Sequence, residues 1–129
     1  MLAVGGHLLA PLHYRCVQMS TPFGGGIGGS WEELCGAFSA SLMIIGGLYA
    51  RASPSEGTER TDALAQELRR RFAKRWGTLT CGPIREYAKG PTGPTGSCNF
   101  VVAESVRLLL DLLRELAPDI ERRLIRIEA

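Results

Sequence analysis

A surplus of charge of one sign is missing from this chain. Lys and Arg number 15 against 13 Asp and Glu, a net +2 over 129 residues, too balanced to predict attraction to nucleic acid or an anionic membrane. Aromatic residues are also scarce at 7%, which speaks against a stacking platform. Neither Cys-x-x-Cys nor Cys-x-x-Cys-His occurs, so thioredoxin-type exchange, a zinc knuckle and covalent haem have no motif to rest on. The residues Met1 to His7 lack the basic start and long apolar run of a secretory signal, so a cytoplasmic location is expected. The uncharged run Leu34 to Ala50 is 17 residues long and carries Ser39, Ser41, Gly46 and Gly47. It falls short of the roughly 20 apolar residues of a membrane span and reads as a core helix.

What is present is an ordinary globular balance, 45% hydrophobic and 22% charged, expected to form a single domain over residues 1–129. No window alternates strictly between apolar and polar residues, which predicts an all-α fold: a bundle of about four to six helices without a sheet. Ser30 and Glu33 read as a capping box, so a central helix is expected over about 31–50, with Trp31, Cys35, Phe38, Leu42 and Ile45 on its inner stripe. Its other faces carry small residues that allow close helix packing. Thr61-Asp62 reads as the cap of a next helix, with Ala65, Leu68, Phe72 and Trp76 inward and Gly77 as its stop. Arg69 to Arg75 falls on the remaining faces and reads as solvated. Pro83 suits the start of a short helix to about Ala88. A long helix is expected from about Cys98, with Val102, Val106, Leu109, Leu113 and Leu116 in its stripe. Residues 7–19 and 119–127 are weaker helical segments.

Gly24, Gly25, Gly26, Gly28 and Gly29 stand before the central helix, and residues 24–29 fit Gly-x-Gly-x-x-Gly. No strand precedes them and no acidic residue closes a dinucleotide fold, so a tight turn is the better reading than a nucleotide cradle. His7 and His13 have no ligand spacing. The four cysteines are the distinctive chemistry. Without an export signal they are expected as thiols, metal ligands or redox groups rather than structural bridges. Cys81 and Cys98 sit at expected helix starts, where backbone amides can lower a thiol pKa. Cys35 follows the glycine run. All three can equally be small buried hydrophobes.

The run Phe23-Gly24-Gly25-Gly26-Ile27-Gly28-Gly29, followed by Cys35-Gly36-Ala37-Phe38-Ser39-Ala40 and Leu42-Met43-Ile44-Ile45-Gly46, resembles the C-GCAxxG-C-C family of redox-active proteins. With the later single cysteines Cys81 and Cys98, the resemblance covers about residues 19–116. It implies a small helical protein with four hallmark cysteines and a redox or iron-sulfur role, related to the cysteine-rich part of split-Soret cytochromes. Ala40 departs from the motif's final glycine. The family's first cysteine lies some two dozen residues before the glycine loop, whereas Cys16 is only seven before Phe23. This implies a chain shortened at its start, for instance by a selenocysteine codon read as a stop.

The leading expectation is therefore a redox protein, an oxidoreductase or electron carrier, in which Cys35, Cys81 and Cys98 converge beside the glycine loop and Gly36. They would hold an iron-sulfur cluster or act as a dithiol/disulfide couple, with Cys16 as a further cluster ligand. It implies a redox partner, no nucleic acid and no membrane span, and is compatible with a homo-oligomer. The rivals are a thiol-dependent enzyme with one low-pKa cysteine and a non-catalytic helical module with inert thiols.

Overall fold

In a computed structural model, which describes residues 1–122, the apolar stripes pair into an all-α bundle. Its helices are α1 (Leu2–Leu8), α2 (Tyr14–Ser20), α3 (Gly36–Tyr49), α4 (Glu59–Trp76), α5 (Cys81–Lys89) and α6 (Asn99–Leu116), with a 3-10 turn at Thr21–Phe23. None of the described helices is long and apolar enough to cross a membrane. Of the expected segment 119–127, the described residues show helix at 120–122, and 123–129 lie outside them. The weak segment 7–19 divides into the end of α1 and the body of α2, separated by an interval that contains Pro11.

α3 is central, as its small residues suggested. It packs against α1, α4 and α6, and α4 and α6 pack on each other. Ile45, Leu68, Phe72, Leu109, Leu112 and Leu113 are buried almost completely where these helices meet. Phe72 stacks on Phe38 with ring centroids 5.1 Å apart and continues through Trp76 to Phe100. Of the three buried serines Ser39, Ser41 and Ser105, two donate their hydroxyls to a carbonyl one turn back, Ser41 to Ala37 and Ser105 to Val101. α4 ends at Gly77, whose φ of +72° is the left-handed stop expected of it. Its start is earlier than Thr61: Thr58 stands at the N-cap position without a side-chain cap bond to the backbone, and its hydroxyl donates to the Asp62 carboxylate.

Two local expectations are corrected. α3 begins at Gly36, not Trp31, and the capping box does not form. The Ser30 hydroxyl donates to the Gly26 carbonyl instead, and Trp31 takes a φ of +62° and is exposed. The inner stripe of α6 is rotated: Val101, Ser105, Leu109, Leu112 and Leu113 are buried, while Val102 and Leu116 are exposed. The basic end of α4 is solvated as expected, with Arg69, Arg70, Lys74 and Arg75 exposed, and it is laced by surface ion pairs: Arg70 and Arg71 bind Glu67, Arg71 also reaches Glu115, and Arg75 reaches Glu104.

Candidate thiol site

The glycine run forms a coil in which Gly25, Gly26, Ile27, Gly28 and Gly29 all have φ between 60° and 71°. Five successive left-handed residues turn the chain back on itself in a way an L-residue sequence resists. At Gly26 the need for glycine is steric as well. A Cβ there would lie 2.6 Å from the Cys81 Cβ and 2.9 Å from the Trp31 Cα. The coil therefore lies directly against Cys81.

Beyond the coil, Leu34 and Thr80 form a single antiparallel bridge. The Cys35 amide donates to the Leu79 carbonyl and the Cys81 amide to the Glu33 carbonyl, each at 2.8 Å. In an antiparallel pairing, residues flanking the bridged pair project to the same side, so Cys35 and Cys81, diagonal across the bridge, face the same side. Each cysteine is followed by a glycine and begins a helix. The Gly82 amide donates to the Trp31 carbonyl at 2.7 Å, and a Cβ on Gly82 would meet that oxygen at 2.9 Å. Cys98 arrives from the far end of the chain as the N-cap of α6.

Cys35, Cys81 and Cys98 line one cavity of about 510 Å³, together with Gly25, Trp31, Gly36, Arg85 and Lys89. Gly25 and Gly36 are on its wall. Gly24, Gly26, Gly28 and Gly29 are not, and act through the coil that backs it. Cys16 is also absent from the wall. It is half-buried on α2, a helix with no buried residue, which packs on the 3-10 turn. All four cysteines are free thiols. The Ala40 methyl group faces a neighbouring void of about 160 Å³, so the departure from the family motif meets space rather than a clash.

The thiol electrostatics reverse one expectation. Burial pushes the Cys35 pKa above the usual 9.0, and the Ala37 and Phe38 amides at the start of α3 favour the thiolate without closing a capping hydrogen bond. Cys81 is likewise raised by burial first, then by the neighbouring Cys35 and Cys98 sulfurs, against a smaller pull from Arg85. A helix start alone does not make a low-pKa thiol when desolvation outweighs it.

The donor set does not fit the four-thiolate iron-sulfur site envisaged from the sequence. Among the described residues, the cavity offers three thiols and no fourth, and no three His, Cys, Asp or Glu side chains form a group that could hold a metal ion. What the arrangement does offer is two buried thiols and a more accessible third on the wall of one cavity that also carries Arg85 and Lys89.

Sequence reasoning did not single out the cationic part of the wall. Arg85 covers the Trp31 ring at 3.9 Å, and both line the cavity. The signal was available: Cys81, Arg85 and Lys89 recur at intervals of four, which places them on one face of α5, while Ile84 and Ala88 are buried. Trp31 carries no such signal, because the Ser30 and Glu33 pattern places it inside a helix that begins only at Gly36.

No curated protein and no solved structure matches the chain significantly. The model of the family described as "Putative redox-active protein (C_GCAxxG_C_C)" matches residues 3–112. With Cys35, Cys81 and Cys98 of that stretch on the wall of a common cavity, the chain belongs to the C_GCAxxG_C_C family.

Proposed function

We propose that the protein is a two-electron thiol redox protein in which Cys35, Cys81 and Cys98 supply a dithiol/disulfide couple. The observation that carries this reading is the convergence of three cysteines, distant in sequence, on one cavity. Two thiols brought together in such a pocket release two electrons and two protons as one disulfide closes. Cys35 and Cys81 are the reserve pair, buried and held as neutral thiols at neutral pH. Cys98, half-buried, is the thiol a reagent reaches first.

The raised pKa values of Cys35 and Cys81 weigh against the rival of a single activated nucleophile at either position. The test is to purify the protein without oxygen, measure iron, zinc, visible absorption and free thiols, then oxidise it stepwise and map the bonds by mass spectrometry. The expected result is a colourless protein that loses two thiols per two electrons, joined within the set Cys35, Cys81 and Cys98. Stoichiometric iron with visible colour, or oxidation that never joins two of these three, overturns the reading.

A further inference from the structure

We propose that the cavity binds small anionic disulfides, with Arg85 and Lys89 holding the anionic groups and Cys98 making the first attack. The inference rests on the redox reading above and adds the class of molecule that exchanges electrons with the thiols. Size is the first argument. A volume of about 510 Å³ is in the range of pockets that hold small organic ligands, far larger than three thiols or a peroxide require.

Charge is the second. The wall carries two cations and no carboxylate, and among the described residues neither Arg85 nor Lys89 is in an ion pair, although Arg70, Arg71, Arg75, Arg107 and Arg114 all are. Arg85 is fixed by lying on the Trp31 face at 3.9 Å, a stacking that leaves the edge of the guanidinium free to bind a carboxylate with two hydrogen bonds. Lys89 is one turn further along the same face of α5 and is exposed. A ligand with anionic groups at these cations brings its centre beside the sulfurs, which is where a disulfide bond needs to be.

The chemistry balances. The Cys98 thiolate attacks one sulfur of the ligand disulfide, forms a mixed disulfide and releases the first ligand thiolate, which takes up the proton Cys98 lost. Cys35 or Cys81 then attacks the Cys98 sulfur and releases the second ligand thiolate, which is protonated in turn. Two protein thiols are oxidised to one disulfide, and one ligand disulfide is reduced to two ligand thiols.

The test compares three disulfides of similar size that differ in charge: dithiodiglycolate (anionic), hydroxyethyl disulfide (neutral) and cystamine (cationic). Rates with the reduced full chain are expected to fall in that order. In Lys89→Gln and in the double variant with Arg85→Gln, the anion-to-neutral rate ratio is expected to drop, by roughly tenfold when both charges are removed. Arg85→Lys, which keeps the charge, is expected to retain most of the ratio. Using the ratio cancels any change in thiolate population or folding, since both reagents meet the same thiols. An unchanged ratio in the double variant, with a normal neutral rate and a cavity disulfide still formed, overturns this inference and leaves the redox reading standing. Failure of all three reagents to produce a disulfide within the set Cys35, Cys81 and Cys98 overturns the redox reading itself.

Discussion

Gly26 and Gly28 share a left-handed backbone, with φ of +66° and +60°, but differ in what surrounds them. A Cβ on Gly28 meets nothing within 4 Å, so Gly28→Ala carries the backbone penalty alone, about 1–2 kcal/mol. A Cβ on Gly26 collides with the Cys81 Cβ and the Trp31 Cα as well. Neither can retreat easily, because Cys81 is hydrogen-bonded to Glu33 and Trp31 to Gly25 through their backbones. Gly26→Ala is therefore expected to cost about 2–5 kcal/mol, combining strain with overpacking. Urea denaturation of the two variants checks the difference, and Gly26→Ala alone should also change the rate at which Cys81 is alkylated. Equal losses from both substitutions would mean that the coil is not pressed against the thiol.

At the scale of the element, much was readable from local pattern and some was not, and the division follows the range of the interactions. α4, the Gly77 stop and the start of α6 near Cys98 depend on periodicity and end chemistry within a few residues, and they appear much as expected. The start of α3 depends on a bridge between Leu34 and Thr80, 46 positions apart, which no local cap reveals. That bridge moves Cys35 from the interior of an expected helix to its threshold and carries Trp31 onto the cavity wall. The stripe of α6 was misphased because leucine occupies 108, 109, 110, 112, 113 and 116, so several faces look apolar, and because the buried Ser105 disguises the true one. Convergence of the three thiols was inferred from the family resemblance; the cationic face of α5 was open to inspection in the sequence and was missed. The packing of α4 on α3 makes a prediction at this scale. Phe72 is fully buried and stacks on Phe38, so Phe72→Ala is expected to cost about 3–5 kcal/mol in chemical denaturation. Gly77→Ala, which only forces a left-handed alanine in open space, should cost about 1–2 kcal/mol. A smaller loss for Phe72→Ala than for Gly77→Ala would contradict this account of the core.

For the whole molecule, the buried thiols link redox state to the pH dependence of stability. Cys35 and Cys81 hold their protons more tightly in the folded chain than at the usual thiol value of 9.0. Above that value the unfolded chain releases these protons first, so the unfolded state binds fewer protons than the folded one and stability falls as pH rises. The contribution is fully present below pH about 9 and is lost as pH climbs through the folded-state pKa values. An oxidised pair has no proton to lose. The reduced protein is thus expected to show an alkaline loss of stability that becomes smaller when two cavity thiols are joined. Changing one of them, Cys35→Ala or Cys81→Ala, should remove part of the same slope while leaving the neutral-pH curve similar in shape. Denaturation midpoints measured from neutral pH to above the thiol range, on the reduced and oxidised forms in parallel, decide the matter. If the two forms lose stability equally, the alkaline sensitivity arises outside the cavity, and burial of its thiols has no bearing on how the fold responds to oxidation.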